Sequence, residues 1–195
     1  HDMARLATRV ARTQTQAKSL AMLMYLQRGI PVIYYGEELG LKNLHFTSAD
    51  QFEDQTVAPW LKDAEKVLSK DAALAMVSET HKLPARGPMP WDATENHGFS
   101  EVKPWITGIK QDDACVANEI NDTTSMFNFY KELLELKKEA LFQIGTYYMI
   151  STDKNSYVYQ RDLHDESAIV AVSLSDQKTT VEIPAGYTVA TLKAG

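Results

Sequence analysis

Residues 29–40, which read Gly-Ile-Pro-Val-Ile-Tyr-Tyr-Gly-Glu-Glu-Leu-Gly, constrain the fold of this chain more than any other stretch. Within it, residues 31–35 form a short apolar run that opens on a proline and ends at Gly36. Such a run is typical of a strand buried on both faces, as in a parallel sheet. An apolar helical segment precedes it, so the local unit is half of a βαβ crossover. We therefore expect a strand at residues 31–35 that needs parallel neighbours.

Hydrophobic periodicity predicts the other elements. Apolar side chains at helical spacing predict a helix over residues 13–27 and another that begins at Thr124 or Ser125 and runs to about residue 140. Two shorter surface helices are predicted over residues 57–68 and 71–81, and the long segment 85–123 has no periodicity. Beyond Gly145 the period becomes two, which predicts short strands at 146–150, 156–161, 168–173, 179–183 and 188–192. Their regular spacing indicates a small antiparallel sandwich.

None of these later strands is a candidate neighbour for residues 31–35, because they alternate in polarity and belong to another sheet. The chain also begins with His1-Asp2 and has no initiator Met. Both observations predict an α+β fragment of a longer polypeptide. Apolar surface left open in such a fragment predicts self-association.

Composition excludes several function classes. The net charge of −6 argues against a dedicated nucleic-acid binder, and the densest basic cluster, Lys137 and Lys138, is interpreted as a solvated helix face. The longest apolar stretch is too short to span a membrane. The single cysteine excludes an internal disulfide and fits a reducing compartment. The histidines lack the spacing of metal ligands, so neither a metal nor a cofactor is expected.

Four motifs occur in a particular order. They are His-Asp-x-x-Arg at residues 1–5, Gly-Ile-Pro-x-Ile-Tyr-x-Gly-Glu-Glu-Leu-Gly at 29–40, Ala-Arg-Gly-Pro-Met-Pro-Trp-Asp at 85–92, and Gly-Phe-Ser followed by Lys-Pro-Trp-Ile at 98–106. In this order and spacing they resemble glycoside hydrolase family 13, and most closely its α-glucosidase branch. Gly87 and Pro90 depart from the usual Thr and Gln of the third motif.

The resemblance implies a fold and a domain division. Residues 1–142 would be the C-terminal part of a (β/α)₈ barrel, from the end of its seventh strand to its eighth helix, with a long insertion before that helix. Residues 143–195 would be a small antiparallel β domain. In that frame, residues 31–35 would be the eighth barrel strand, and the active site would lie at the C-terminal face of the barrel.

The resemblance also implies a site and a mechanism. Asp2 matches the carboxylate that stabilises the oxocarbenium-like transition state of a retaining glycosidase. His1 and Arg86 match side chains that hold the sugar next to the cleaved bond. The nucleophilic Asp and the acid Glu of the family would lie upstream of residue 1. The implied parent is a cytoplasmic α-glucosidase that acts on short oligosaccharides, as an oligo-1,6-glucosidase does.

Three alternatives remain open from the sequence. The parent could hydrolyse trehalose 6-phosphate, although the sequence does not identify the required phosphate-binding cation. It could instead isomerise sucrose or transfer glucosyl groups on the same scaffold. The 195-residue chain by itself could be catalytically inert, because the resemblance assigns it neither nucleophile nor acid.

Overall fold

The computed structural model describes residues 1–175 and 178–187. Its helices and strands in chain order are α1 (Leu6–Arg9), α2 (Gln14–Tyr25), α3 (Val57–Ala64), α4 (Lys70–Thr80), α5 (Val116–Glu119), α6 (Met126–Lys137), α7 (Ala140–Ile144), β1 (Thr146–Thr152), β2 (Ser156–Leu163) and β3 (Glu166–Ser173). Single 3₁₀ turns occur at Glu37–Leu39, Ala49–Phe52, Leu83–Arg86 and Glu95–Gly98.

The chain divides into two compact units, and each contains two separate segments. Unit 1 consists of His1–Arg12 and Tyr34–Asp122, and unit 2 consists of Thr13–Ile33 and Thr123–Gly195. The predicted domain boundary between residues 142 and 143 concerns the domains of a complete enzyme, and it stays a prediction.

The core of unit 1 is an apolar cluster between α3, α4 and the segment around Phe46. Phe46 and Phe52 meet edge to face with ring centroids 4.9 Å apart, and Ile106 packs against the same cluster from the long loop. The two predicted surface helices are confirmed as α3 and α4, and the Ser69 side chain caps α4 by accepting from the Ala72 amide. This cluster provides the support for the segment that follows α4.

Buried polar groups tie the segments of unit 1 together. Asn43 is buried and accepts the Arg5 amide through Oδ1 at 2.8 Å, while its Nδ2 donates to the carbonyl of Ser78 at 2.8 Å. The Ser78 hydroxyl accepts the Phe46 amide at 3.0 Å. Because buried polar groups are costly unless they are hydrogen-bonded, these bonds fix α1 and α4 relative to residue 43.

Unit 2 combines two amphipathic helices with an antiparallel sheet. Thr13 caps α2 in a capping box. Ser125, one of the two residues predicted to begin the later helix, caps α6 by accepting the Asn128 amide. Tyr25 of α2 meets Tyr130 of α6 edge to face with centroids 5.9 Å apart. The last helix ends earlier than expected, at Lys137, and the separate short helix α7 follows.

The sheet of unit 2 has the order β1-β2-β3 with both pairs antiparallel. It confirms the first three predicted strands. The prediction of a strand at residues 179–183 is wrong, because these described residues pair with no other strand. The predicted strand at 188–192 lies outside the described residues. The sheet is therefore a three-stranded meander over the part of the chain that can be described, and a second layer of a sandwich stays a prediction.

The strand predicted at residues 31–35 is also absent. Residues 31–34 are irregular, a turn begins at Tyr35, and Ile30 and Val32 are 91% and 83% exposed. The apolar pattern favours an extended backbone. A strand also requires a neighbouring strand whose hydrogen bonds satisfy its N–H and C=O groups. Within the described ranges no strand pairs with this segment.

The interpretation of Lys137 as a solvated residue is wrong. Its side chain is 5% exposed, and its Nζ donates to the carbonyls of Gln27 and Phe142. Arg161 is fully buried beside it and donates to the carbonyls of Leu26, Phe142, Gly145 and Thr146. The two cations thus cap the carbonyl ends of α2 and α7, which the helix dipole favours. Burial, and secondarily the charge of Arg161, lowers the pKa of Lys137.

Candidate functional site

Unit 1 brings together the three residues that the sequence proposed as a site. Nη2 of Arg86 donates to Oδ1 of Asp2 at 2.9 Å, and Nε of the same guanidinium donates to the main-chain oxygen of His1 at 2.9 Å. The imidazole Nε2 of His1 lies 3.3 Å from the other carboxylate oxygen of Asp2. Arg86 and Asp2, which are 84 positions apart in the sequence, are therefore adjacent in the structure. Asp2 and His1 are exposed, whereas Arg86 is partly buried.

Lys82 is a second cation at this carboxylate that the sequence analysis did not identify. Its Nζ lies 3.5 Å from Oδ1 of Asp2, the oxygen that also accepts from Arg86. Lys82 immediately precedes the Leu83–Arg86 turn, and the side chains of Lys82 and Arg86, at its two ends, reach the same oxygen of Asp2. The spacing of four residues between two cations was a signal in the sequence that could have suggested a shared partner.

The segment that carries Arg86 is held on both sides of that residue. The Tyr35 hydroxyl donates to the carbonyl of Gly87 at 2.6 Å, and the Tyr34 hydroxyl lies 3.5 Å from the carbonyl of Ala85. Leu44 N–H donates to the carbonyl of Pro84 at 3.0 Å. The backbone on either side of Arg86 is therefore held by the last two residues of the predicted strand and by Leu44.

Arg5 belongs to the same motif as Asp2 and contacts Tyr34 and Tyr35, whose hydroxyls lie against the backbone on either side of Arg86. Its Nη1 donates to the main-chain oxygen of Tyr35 at 2.7 Å, and its guanidinium carbon lies 5.0 Å and 4.9 Å from the ring centroids of Tyr34 and Tyr35. The side chain is 5% exposed. Gly36 follows with a φ of +84°, a left-handed conformation that favours glycine.

His81 and Asp54 fix the start of the same segment. Nδ1 of His81 accepts the Leu83 amide at 3.1 Å, so Nε2 carries the proton that is shared with Asp54 at 3.2 Å. Hydrogen bonds from the hydroxyl and amide of Thr56, followed by the one from His81, lower the pKa of Asp54 to about 2. His81 is thus a structural histidine between α4 and the Leu83–Arg86 turn.

Three other residues of the four motifs, Trp105, Trp91 and Glu38, have different surroundings. Trp105 is 73% exposed and donates from Nε1 to Glu53 at 2.8 Å, which ties the long loop to the Ala49–Phe52 turn. Trp91 is half exposed. Oε2 of Glu38 is buried without a hydrogen-bond partner among the described residues. Over the same part of the chain, no cluster of His, Cys, Asp and Glu could hold a metal ion.

Chemically, the arrangement can orient a polyhydroxylated ligand and stabilise positive charge. The Asp2 carboxylate accepts hydrogen bonds and is negative at neutral pH, and the planar guanidinium of Arg86 fixes the position of that carboxylate. Such a group stabilises a cationic transition state next to it. In the family, however, a retaining glycosidase needs two further carboxyl groups.

Comparison with known proteins identifies the family. Residues 1–145 match the catalytic domain of alpha-amylase, which covers well over half of the chain. The chain belongs to the alpha-amylase family. This family is the one that the four motifs resembled, so the resemblance to glycoside hydrolase family 13 is confirmed.

Individual members of the alpha-amylase family support the same placement. The oligo-1,6-glucosidase of Halalkalibacterium halodurans is 30% identical over 193 residues, which cover 95% of this chain and 34% of that protein. A solved structure described as a family GH13_31 enzyme is 75% identical, with a TM-score of 0.92 over 94% of this chain and 35% of its own. The trehalulose synthase of Pseudomonas mesoacidophila is 28% identical, with a TM-score of 0.81 over 95% of this chain and 35% of its own.

The chain thus spans about a third of the length of the alpha-amylase family proteins it matches. It shares their fold over nearly all of its residues. No helix in the described ranges is long and apolar enough to cross a membrane.

Proposed function

We propose that this chain is the part of a retaining α-glucosidase that binds the sugar next to the cleaved bond and stabilises the transition state. The observation that carries the proposal is the 2.9 Å contact between Arg86 and Asp2, which joins two motifs of the alpha-amylase family. In this proposal Asp2 faces the developing oxocarbenium ion, while His1 and Arg86 hold sugar hydroxyls.

The proposed reaction is a double displacement at the anomeric carbon. A carboxylate attacks that carbon while a carboxylic acid protonates the leaving oxygen, and the two groups lie about 5–5.5 Å apart. Asp2 supplies neither step. Its negative charge favours the cationic transition state over the neutral ground state, which is how a charge accelerates a reaction. We propose that the nucleophile and the acid lie on earlier barrel strands of the complete enzyme.

The likeness to alpha-amylase family proteins also supports a proposed fold for the complete enzyme. The segment that carries His1 and Asp2 would end the seventh barrel strand, and α2 would be the seventh barrel helix. Residues 31–35 would become the eighth strand once the first strand of a barrel pairs with them, and α6 would be the eighth helix. The sheet β1-β2-β3 would begin the C-terminal β domain.

The proposed substrates are short α-linked glucosides, and isomalto-oligosaccharides are favoured by the likeness to an oligo-1,6-glucosidase. We infer a cytoplasmic location from the single cysteine, which fits a reducing compartment. The experiment uses the complete enzyme with a chromogenic α-glucoside and with isomaltose. Asp2→Asn should lower kcat by about 10²-fold to 10³-fold, as expected for the loss of one group that stabilises transition-state charge.

Asp63→Asn is the matched control, because Asp63 is an exposed carboxylate that pairs with Lys66 on the surface of α3. It should leave turnover unchanged. Full activity of Asp2→Asn would remove Asp2 from the mechanism. Turnover by the purified 195-residue chain alone would contradict the placement of nucleophile and acid elsewhere.

A second candidate is isomerisation of sucrose, which the likeness to a trehalulose synthase favours. Both reactions begin with the same glucosyl transfer to the enzyme and differ in whether water or the retained fructose accepts the glucosyl group. Product analysis with sucrose separates them, since an isomerase yields a rearranged disaccharide and a hydrolase yields free hexoses. Trehalose 6-phosphate in the same panel tests the third reaction.

A further inference from the structure

We propose that Tyr35 is a positioning residue for Arg86, acting through its hydroxyl on the backbone that carries the guanidinium. The hydroxyl donates to the carbonyl of Gly87 at 2.6 Å, one residue after Arg86. Tyr35 does not contact Asp2 or the side chain of Arg86 by a hydrogen bond in the structure, so its action is indirect. This inference rests on the proposed function, in which Arg86 holds the sugar.

The ring of Tyr35 is itself fixed. Arg5 lies against it at 4.9 Å from the centroid and donates to its main-chain oxygen at 2.7 Å. Tyr34 meets the same ring edge to face, with centroids 4.7 Å apart. A hydroxyl on a ring held from two sides can fix the carbonyl it contacts, whereas a mobile tyrosine could not.

Arg5 relates the support of the Tyr35 ring to the candidate site, because Arg5 lies three residues after Asp2 in the chain. Its own amide donates to the buried Asn43 at 2.8 Å, so the backbone beyond Asp2 is fixed as well. Arg5 therefore holds Tyr35 through its guanidinium and holds the backbone beyond Asp2 through its amide, while Tyr35 holds the backbone beside Arg86. The distance between Asp2 and Arg86 is set by this chain of contacts in addition to their own ion pair.

The hydroxyl remains a donor under working conditions. Burial, together with a smaller contribution from Tyr34, raises the pKa of Tyr35 to about 12. A carbonyl can only accept, so the contact with Gly87 requires the protonated phenol. Tyr34 is the weaker partner, because its hydroxyl lies 3.5 Å from the carbonyl of Ala85, at the outer limit of a hydrogen bond.

A double-mutant cycle in the complete enzyme tests the inference. The four proteins are the wild type, Tyr35→Phe, Arg86→Ala and the double variant, each assayed for kcat and KM with a chromogenic α-glucoside. With Arg86 present, Tyr35→Phe should lower kcat/KM by about fivefold, the value of one ordinary hydrogen bond. In the Arg86→Ala background the same change should have less than about a twofold effect, because coupled residues are not additive.

Tyr34→Phe is the matched control and should lower kcat/KM by less than about twofold, since its hydroxyl makes only a marginal contact. Thermal midpoints of the same proteins provide the structural readout. The hydrogen bond to the Gly87 carbonyl persists in Arg86→Ala, so Tyr35→Phe should shift the midpoint equally in both backgrounds. A purely structural tyrosine would give equal shifts in kcat/KM as well.

An equal loss of kcat/KM in both backgrounds would overturn the positioning role while leaving the proposed function intact. A fully active Arg86→Ala would overturn both, because Arg86 would then hold no sugar group that matters. If Tyr35→Phe does not fold, Tyr35→Met, which also lacks the hydroxyl donor, replaces it in the same cycle with the same two opposed outcomes.

Discussion

A β-carbon on Gly36 would stand 2.9 Å from Nη1 of Arg5 and closer still to the side chain of Leu41. Gly36 is thus the point at which the backbone lies directly against the guanidinium that supports the candidate site. Its left-handed φ and its lack of a side chain are both required there.

Gly36→Ala should therefore destabilise the chain more than a change at an uncrowded glycine. The φ of +84° alone costs an alanine about 1–3 kcal/mol, and crowding against the side chains of Leu41 and Arg5 adds a similar amount. Gly29→Ala is the control, because Gly29 also has a positive φ but has no atom within 4 Å of the added carbon. Urea denaturation measures both variants, and equal losses would show that crowding by Leu41 and Arg5 contributes nothing.

The carboxyl group of Asp54 should titrate with a pKa of about 2, mainly because Thr56 donates to it from both hydroxyl and amide. The folded-state pKa is lower than the unfolded one, so this group stabilises the fold above about pH 4, and that contribution is lost as the pH falls towards 2. Carboxyl carbon NMR measures the titration directly. Thr56→Val should raise the midpoint, and a midpoint near 4 in the unmodified chain would contradict the prediction.

Lys137 and Lys138 are adjacent residues with opposite environments. Lys137→Met removes two hydrogen bonds from buried carbonyls and should lower the free energy of unfolding by about 1–3 kcal/mol. Lys138→Met removes only an exposed pair with Glu135 and should change that free energy by less than about 0.5 kcal/mol. The two variants change the net charge equally, so urea denaturation isolates the effect of burial. Indistinguishable midpoints would refute the buried role of Lys137.

The elements that the sequence predicted well are those whose signals are local. The helical periodicity of α2, the cap at Ser125 and the alternation in β1, β2 and β3 depend on residues within a few positions of one another. The strand at residues 31–35 failed because pairing is decided by a neighbour, which the local sequence does not contain.

The candidate site was predictable only through family resemblance. Asp2 and Arg86 are 84 residues apart, and no spacing rule joins them. The spacing of Lys82 from Arg86 was a weak signal in the sequence. The contact of Tyr35 with Gly87 had no such signal, because a tyrosine within an apolar run is normally interpreted as a core residue. Burial of Lys137 was equally hidden, since it depends on carbonyls that converge from residues 27 and 142.

The hydrogen bonds of Arg161 have a consequence for the order of folding. Its contact with the carbonyl of Leu26 spans 135 positions, and the whole of Tyr34–Asp122 lies between the two segments of unit 2. Closing so long a segment while it is flexible carries an entropic cost and slows folding. If unit 1 folds first, the intervening segment is no longer flexible, and that part of the entropic cost does not fall on the folding of unit 2. We therefore expect unit 1 to fold before unit 2 and to speed the folding of unit 2. The transfer of Arg161 from water to its buried site should be among the last steps before the native state.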